Sequence, residues 1–211
     1  MIIGSSNLVL ERYEKFDDEK RKKYIGYINE SAKQTHKLLE NLLEWALIQT
    51  NEMKFTPGIV NIHDLSMEIT SLLNENATNK KITLRSSVEK DSFVLGDFNM
   101  LQLIIRNLVS NAIKFTNKGG LIEITSEVED NYEKIVVSDT GIGMTKDEID
   151  NLFKIDAKSS KLGTAKEKGT GLGLILCKDF IERHKGYIDV TSEIGKGSQF
   201  CVRLPKAHPS S

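Results

Sequence analysis

The stretch from residue 97 to residue 117, DFNMLQLIIRNLVSNAIKFTN, decides the fold that the sequence predicts. Its apolar side chains recur at steps of three and four: Leu101, Ile104, Ile105, Leu108, Ala112 and Phe115. This spacing predicts a helix whose apolar face is buried against a sheet. Asn107, Asn111 and Lys114 stand at i, i+4 and i+7, so they form a polar row along the flank of that face.

The polar row has the chemistry of a magnesium–nucleotide site. A carboxamide oxygen is a suitable ligand for Mg²⁺, and a lysine supplies positive charge for a phosphate. An ordinary solvated helix face is the alternative. For this stretch alone we favour that alternative, because short motifs are weak evidence. Two later stretches reverse the judgement.

Composition limits the class of protein. The chain has 211 residues, 39% hydrophobic and 28% charged, which is ordinary for one or two globular domains. The net charge of −1 gives no reason to expect a nucleic acid or an anionic membrane as partner. No apolar run approaches the about 20 residues of a membrane span, so we expect a cytoplasmic location, with any membrane tether outside this sequence. Cys177 and Cys201 lie in apolar runs and are predicted to be reduced core residues.

Residues 1 to about 54 contain no proline and predict a helical hairpin with a break near residues 16–18. The second helix, from about Asp18 to Asn51, carries a seam at alternating steps of three and four: Ile25, Ile28, Ala32, Thr35, Leu39, Leu42 and Ala46. An isolated hairpin would leave this seam wet, so we expect a homodimer in which two hairpins form a four-helix bundle. The Pro57-Gly58 pair breaks the pattern and divides the chain into domains of residues 1–55 and 56–211.

The remainder of the chain alternates strand-like and helical stretches. Strands are predicted at residues 59–62, 82–84, 93–95, 121–128, 132–138, 187–192 and 198–204, and helices at 64–79, 97–117 and 172–184. Strands paired as hairpins with helices between them favour the α+β class. The predicted fold is a two-layer α/β sandwich, in which helices cover one face of a mixed sheet.

The stretch Asp139-Thr140-Gly141-Ile142-Gly143-Met144 directly follows the strand predicted at residues 132–138. A carboxylate at a strand end, followed by two glycines, places an acceptor beside backbone that can approach a ligand closely. The exocyclic amine of adenine is a suitable donor for it. A tight turn capped by the aspartate is the alternative, which we again favour for this stretch alone.

The stretch Gly169-Thr170-Gly171-Leu172-Gly173-Leu174 immediately precedes a predicted helix. Its backbone N–H groups at the positive helix end suit a phosphate, although the spacing matches neither a dinucleotide fingerprint nor a Walker motif. Between the two glycine stretches lies KIDAKSSKLGTAKEK, residues 154–168, which is basic and has no apolar period. A loop of this kind beside a phosphate site is predicted to be a lid. Phe153, just before it, is either a hinge anchor or a core residue.

With the three stretches in this order, the chain resembles the ATP-binding domain shared by sensor histidine kinases, gyrase B, Hsp90 and MutL. The resemblance covers roughly residues 58–205. In the terms of that family, residues 107–114 resemble the N box, 139–143 the G1 box, 152–153 the F box, 169–173 the G2 box and 195–200 the final hairpin.

The resemblance implies ATP and Mg²⁺ as ligands. It implies that Asn111 ligates Mg²⁺, that Asn107 and Lys114 contact phosphates, and that Asp139 reads adenine. The nucleotide-binding residues that it implies are Asn107, Asn111, Lys114, Phe115, Asp139, Gly141, Gly143, Gly169, Thr170, Gly171, Leu172, Gly173 and Ser198. Phe115 would border the base, and Ser198 stands where the family commonly has a threonine near adenine.

Sensor histidine kinases of two-component systems are the closer match within the family. ATPases of the family usually carry a glutamate one helical turn before the metal-binding asparagine, and here that place is Asn107, whose amide is no general base. The hairpin upstream resembles the dimerisation and phosphotransfer domain of these kinases. The resemblance thus implies phosphoryl transfer from ATP to a histidine and then to an aspartate of a response-regulator receiver domain. A GHKL-type ATPase, a protein serine kinase and a non-catalytic nucleotide-binding interaction module are the alternatives.

The phosphoacceptor histidine of these kinases lies ahead of a stretch that resembles Ile2-Ile3-Gly4, so we expect it to be missing from this sequence. The four histidines of the chain, His36, His63, His184 and His208, are predicted to be surface or packing residues. We therefore expect the chain to bind ATP without phosphorylating itself.

Overall fold

The computed structural model describes residues 2–49, 54–154, 162–165, 167 and 171–208, apart from the side chains of residues 34, 37, 38, 40–42 and 44–49. The chain divides into two compact units, Met1–Met53 and Lys54–Ser211. Within the described residues, no helix is both long and apolar enough to cross a bilayer.

The first unit is a helical hairpin. Helix α1 (Ile2–Glu11) is followed by a 3₁₀ turn (Tyr13–Lys15) and by the long helix α2 (Asp18–Gln49), against which α1 packs. Asp17 caps α2, because its Oδ1 accepts the backbone N–H of Lys20 at 2.7 Å. On the predicted seam, Ile25 is 54% and Leu39 is 60% exposed. Leu42 and Ala46 of the same seam lie outside the described side chains.

The second unit mixes strands and helices. The strands are β1 (Gly58–Asn61), β2 (Thr83–Ser87), β3 (Phe93–Gly96), β4 (Leu121–Glu129), β5 (Tyr132–Asp139), β6 (Tyr187–Glu193) and β7 (Gly197–Pro205). The helices are α3 (Ile62–Asn79), α4 (Phe98–Phe115), α5 (Lys146–Asp150) and α6 (Gly173–Arg183).

The main sheet has five strands in the order β2-β4-β5-β7-β6. β2 runs parallel to β4, whereas the other neighbours are antiparallel. α4 packs on β4 and β5 and contacts α3 and α6 in the helical layer. The predicted α+β sandwich with a mixed sheet is therefore confirmed. β1 and β3 form a separate antiparallel pair, which the sequence did not distinguish from the main sheet.

The alternation of β5 shows which face of the sheet is covered. Glu133, Ile135, Val137 and Asp139 are all buried on one face, as the two-residue period of a strand requires. Glu133 accepts a hydrogen bond from Ser92 Oγ at 2.7 Å. Asp139 is the last of the four and brings a carboxylate to the end of the buried face.

Several boundaries differ from the prediction. β2 starts at Thr83 because the N–H of Ile82 still bonds to the Ala77 carbonyl at the end of α3. The short helix α5 was not predicted, and it begins with a capping box between Thr145 and Glu148. Cys177 is buried as expected, but the prediction of a core Cys201 is wrong. This cysteine is half-buried, because it alternates with the inward-facing residues of β7.

Four residues connect the beginning of the second unit to α4 and α6. The N–H of Thr56 donates to Asp97 Oδ2 at 3.0 Å, and the other oxygen of Asp97 caps α4. The N–H of Asp97 donates to His184 Nε2 at 2.9 Å, and His184 Nδ1 lies 2.6 Å from the carbonyl of Phe180 in α6. The Phe55 ring packs edge-on against the imidazole at 4.9 Å. We call this set, Phe55, Thr56, Asp97 and His184, the N-terminal joint.

Candidate functional site

The polar row of α4 lies on the flank of the helix, as its spacing predicts. Asn107, Asn111, Lys114 and Phe115 are half-buried, whereas the neighbouring apolar residues of α4 are buried in the core. Phe115 was predicted to belong to the apolar face, but it is only partly covered. The ammonium group of Lys114 lies 4.6 Å from the centre of the Phe115 ring, a cation–π contact at the end of the row.

Asn107 of α4 lies against the start of α6. A Cβ added at Gly173, the first residue of α6, would lie 3.1 Å from Asn107 Oδ1. One turn further along α6, burial raises the pKa of Cys177 to about 12, although a hydrogen bond with Asn107 opposes the shift. Cys177 therefore stays a neutral thiol, and its Sγ donates to the Ile104 carbonyl of α4 at 3.8 Å.

Asp139 is 9% exposed and lies opposite Ser198 of β7 in the sheet. Its Oδ1 accepts the N–H of Gly141 at 2.8 Å. Burial raises the pKa of Asp139, while hydrogen bonds from the backbone at Gly141 and Ser198 partly offset that rise. The carboxylate is thus desolvated and held in one orientation.

Three glycines allow the loop after Asp139 to close onto its neighbours. A Cβ at Gly141 would lie 2.6 Å from the Phe115 carbonyl oxygen. Gly143 and Gly197 both have positive φ, +66° and +105°. A Cβ on Gly143 would meet the Glu193 carbonyl oxygen at 2.0 Å. On Gly197 it would meet the carbonyl oxygen of Asp139 at 1.9 Å, so no larger residue fits without backbone movement.

Hydrogen bonds attach the Asp139 loop to α4 on one side and to the β6–β7 hairpin on the other. The N–H of Ile142 donates to the Phe115 carbonyl at 3.1 Å, and the Ile142 carbonyl accepts from Gly195 at 2.8 Å. Ser192 Oγ accepts from the N–H of Met144 and lies 2.9 Å from Ser198 Oγ. Hydrogen bonds through the loop after Asp139 therefore connect Phe115, Asp139 and Ser198.

The glycine stretch before α6 is described from residue 171 onward. Gly171 is exposed with φ +76°, Leu172 is half-buried, and Gly173 begins α6. The predicted site residues Gly169 and Thr170 lie outside the described residues, as does most of the predicted lid. Phe153 is half-buried, with Lys178 Nζ of α6 at 5.9 Å from its ring centre. Both interpretations of Phe153 stay open.

The sequence did not single out three residues near the end of α4. The N–H of Thr164 donates to the Lys114 carbonyl at 3.0 Å, and Lys80 Nζ lies 2.9 Å from Glu167 Oε1. Lys80 and Glu167 are far apart in the sequence, so no local pattern could have paired them.

The oxygen donors of the site suit a hard cation that also binds oxygens of a bound ligand. Among the described residues, no group of three or more His, Cys, Asp or Glu side chains could hold a metal ion. The half-buried Asn111 offers an amide oxygen, a ligand type that Mg²⁺ accepts beside phosphate oxygens. The residues present therefore fit a magnesium ion that arrives with a nucleotide.

Comparison with known proteins decides the family. The family model for histidine kinase-, DNA gyrase B- and HSP90-like ATPases matches residues 96–208, more than half of the chain. The chain belongs to this ATPase family. The match begins one residue before the Asp97 cap of α4 and runs through β7, so it includes the polar row, the Asp139 loop and the start of α6.

Relatives of the chain within this ATPase family are sensor kinases. An uncharacterized sensor-like histidine kinase R01002 of Rhizobium meliloti is 29% identical over 97% of this chain and 39% of its own length. The sensor protein GacS of Pseudomonas syringae is 33% identical over 87% of this chain and 21% of its own length. The chain thus spans between about a fifth and two fifths of these relatives. The predicted resemblance to sensor histidine kinases is confirmed, and the chain carries an ATPase domain of the histidine kinase type.

A solved structure agrees with the fold. The histidine kinase ThkA, solved in complex with the response regulator protein TrrA, has a TM-score of 0.75 at 24% identity, covering 98% of this chain and 57% of that chain. At this identity the likeness supports the architecture and not the partners.

Proposed function

We propose that this chain is the catalytic part of a two-component sensor histidine kinase. It would bind Mg²⁺–ATP between α4, the Asp139 loop and the start of α6. The γ-phosphate would pass to a histidine of the dimerisation hairpin and then to an aspartate of a response-regulator receiver domain. Residues 1–55 would belong to that hairpin, and residues 56–211 would be the ATP-binding domain.

One observation carries the proposal: separate parts of the chain converge on the flank of α4. Asn107 meets Gly173 of α6, while Phe115 accepts a hydrogen bond from Ile142 in the Asp139 loop. The amides of the row, a buried carboxylate and a glycine-rich helix start thus share one edge of the helical layer. Each of these groups is common in proteins. Together they offer an acceptor for adenine, amides for phosphate and Mg²⁺, and glycine-rich backbone for the remaining contacts with ATP.

Each part of the site would have its own role. Asp139 accepts the exocyclic amine of adenine, with Phe115 beside the base and Ser198 near it. Asn107 and Lys114 contact phosphates, and the amide oxygen of Asn111 ligates Mg²⁺. Bound Mg²⁺ neutralises phosphate charge during transfer. The remaining contacts come from glycine-rich backbone at Gly141, Gly143, Gly169, Thr170, Gly171, Leu172 and Gly173.

The amide at Asn107 favours phosphoryl transfer to a protein over hydrolysis of ATP. An amide cannot remove a proton from water, whereas transfer to an imidazole depends mainly on positioning and charge neutralisation. A rigid site that holds the triphosphate is sufficient for this, provided that another part of the protein supplies the acceptor.

The helical hairpin would form a homodimer. Ile25, Leu39 and Leu43 of α2 are 54%, 60% and 61% exposed, which is unusual for large apolar side chains on one long helix. Burying them against a second copy would complete a four-helix bundle. The response-regulator partner is part of the same proposal. ThkA, which has a similar fold, was solved in complex with a response regulator protein.

The binding site is tested with Asn111→Ala and Asn99→Ala. Calorimetry with ATP in the presence of Mg²⁺ and then of EDTA should show strong Mg²⁺-dependent binding to the original chain. Asn111→Ala should abolish Mg²⁺–ATP binding without unfolding the domain. Asn99→Ala, an exposed amide on the same helix, should behave like the original chain. Unchanged Mg²⁺–ATP affinity in Asn111→Ala would remove the metal assignment.

Phosphoryl transfer is tested with radiolabelled ATP. We expect this chain to stay unlabelled, and a protein extended by its native upstream residues to acquire an acid-labile, base-stable label typical of phosphohistidine. Label on this chain, for example on His36, would contradict the assignment of the acceptor to an upstream position. Steady ATP hydrolysis would favour a GHKL-type ATPase, and label on serine would favour a serine kinase. An extended protein that binds ATP and stays inert would favour a binding module.

A further inference from the structure

Lys80, the residue that follows α3, places its ammonium group at the C-terminal end of α4. Its Nζ donates to the carbonyls of Ile113 and Lys114 at 2.8 and 2.7 Å and to Glu167 Oε1 at 2.9 Å. An ammonium group has three N–H donors, so these contacts use all of them. The Lys80 side chain is only 15% exposed, so solvent competes little for these hydrogen bonds.

The end of α4 needs partners from outside the helix. The last four carbonyls of a helix have no intrahelical partner, and they carry the negative end of the helix dipole. In α4 the Ala112 carbonyl accepts from the N–H of Thr116, and the Ile113 carbonyl accepts from Lys80. The Lys114 carbonyl accepts from Lys80 and Thr164, and the Phe115 carbonyl accepts from the N–H of Ile142. A cation at this end is therefore favourable, and Lys80 supplies it from another element.

Glu167 closes a small turn that is attached to the same place. Its carbonyl accepts the N–H of Gly163 at 2.8 Å, and its Oε2 accepts the N–H of Ala165 at 2.8 Å. The hydroxyl of Thr164 donates to the carbonyls of Lys114 and Thr116 at 3.2 and 2.9 Å. The turn thus packs directly on the last turn of α4, where the polar row ends.

Close packing and charge both hold the turn. A Cβ at Gly163 would lie 2.3 Å from Glu167 Oε2 and 2.6 Å from Lys114 Cγ, so glycine is required for this approach. Burial alone would raise the pKa of Glu167, but the hydrogen bonds from Lys80 and from backbone N–H groups outweigh it, and the pKa is lowered. Glu167 is therefore a carboxylate at neutral pH and stays paired with Lys80.

We propose that Lys80 and Glu167 are positioning residues, which fix Gly163, Thr164 and Glu167 against the end of α4 and thereby hold Lys114, the last residue of the polar row, in place for the phosphates of ATP. The proposal rests on the proposed function, since it assumes that ATP binds at this flank. Neither Lys80 nor Glu167 needs to touch the nucleotide.

The test compares ATP affinities, measured by calorimetry, of the original chain, Glu167→Gln, Lys80→Met and the double variant. Each single variant should bind Mg²⁺–ATP about tenfold more weakly, which is about 1.4 kcal/mol. The double variant should be no weaker than the weaker single variant, because both substitutions remove one charge of the same ion pair. Lys80→Arg keeps the charge and should recover most of the affinity.

Matched controls separate positioning from a purely structural role. Lys81→Met, at the residue after Lys80, and Glu89→Gln change exposed side chains of the same types and should bind ATP like the original chain. Glu167→Gln leaves the two bonds from Lys80 to α4 intact, so it should keep its melting temperature while losing affinity. If Lys80→Met does not fold, Glu167→Gln carries the test alone.

The possible failures are distinguishable. If the original chain binds Mg²⁺–ATP and folded Glu167→Gln binds within twofold of it, the positioning role is wrong while the proposed function stands. If the original chain does not bind Mg²⁺–ATP, both the proposed function and this inference fall.

Discussion

Gly173 at the first turn of α6 stands against Asn107 of α4, so close that a Cβ at residue 173 would lie 3.1 Å from the asparagine amide oxygen. The amide row and the glycine-rich stretch therefore meet through the packing of two helices, and not through a single continuous motif. The buried Cys177 thiol, one turn further along α6, donates to the Ile104 carbonyl of α4 at 3.8 Å, so a second contact joins the two helices beside this meeting point.

Asp139→Asn should abolish Mg²⁺–ATP binding without unfolding the domain. An asparagine can still accept the N–H of Gly141, but its amide cannot offer adenine the same charged acceptor. Burial raises the pKa of Asp139, so folding opposes ionisation, and stability falls as the pH rises through the raised value. Removing the charge should therefore leave the melting temperature of the ligand-free protein unchanged or higher at neutral pH.

Calorimetry and thermal melts of Asp139→Asn check this, with Asp150→Asn as the matched control at an exposed carboxylate. The control should retain affinity and melting temperature. Unchanged affinity in Asp139→Asn would remove Asp139 from the adenine site, and a collapse of the fold would contradict the argument from its pKa.

Gly197→Ala should destabilise the second unit much more than Gly195→Ala in the same hairpin turn. Both glycines have positive φ, which costs an alanine about 1–2 kcal/mol. A Cβ at Gly195 has no heavy atom within 4 Å, but one at Gly197 would lie 1.9 Å from the Asp139 carbonyl oxygen. We expect a fall of about 2–8 °C in melting temperature for Gly195→Ala and a clearly larger one for Gly197→Ala. Equal melting temperatures would show that the turn can relax.

Leu39→Gln should shift the chain from dimer to monomer. The Leu39 side chain is 60% exposed in the single chain, and burying that exposed part in a bundle would contribute about 1–2 kcal/mol per copy. Sedimentation over a range of concentrations measures the shift. Ile194→Gln, an apolar side chain that is 65% exposed in the β6–β7 turn, is the control and should leave association unchanged. A concentration-independent monomer in the original chain would argue against the bundle.

Stability of the second unit should fall as the pH drops below 6.5, in part because of His184. Burial lowers the pKa of His184 from the ordinary value of 6.5, although contacts with Phe180 and Asp97 oppose this. Below pH 6.5 the unfolded chain therefore binds a proton that the folded chain resists, so acid favours unfolding. Urea midpoints at pH 7.5 and 5.5 should differ less in His184→Gln than in the original chain.

His208→Gln is the control for this pH dependence, because His208 is exposed near the end of the described chain. It should keep the full difference between the two midpoints. An NMR titration that gives His184 a pKa of 6.5 or higher would contradict the prediction directly.

The sequence predicts most of the fold because the elements carry strong local signals. The three-and-four spacing of α4 identified both its buried face and its polar flank, and the Gly195-Lys196-Gly197 turn identified the last hairpin. The separate β1–β3 pair was not predicted, because strand patterns do not state which strands become neighbours. Cys201 was misplaced for a similar reason, since an apolar run hides the two-residue alternation of β7.

The candidate site was predictable only where it is built from local motifs. Asn107, Asp139 and Gly173 each lie in a short pattern with recognisable chemistry. Lys80 and Glu167 carry no pattern, because their pairing depends on how α3, α4 and the loop pack in three dimensions. Contacts between residues this far apart in the sequence can be identified only once the fold is known.

The N-terminal joint has a consequence for where an excised ATP-binding fragment must begin. The family match starts at residue 96 and β1 at residue 58, but Thr56 supplies a hydrogen bond to Asp97, and the Phe55 ring covers one edge of His184. A fragment cut after Thr56 would leave the carboxylate that caps α4 short of one donor and would open the imidazole to water. The smallest self-sufficient fragment therefore begins at Phe55 or earlier.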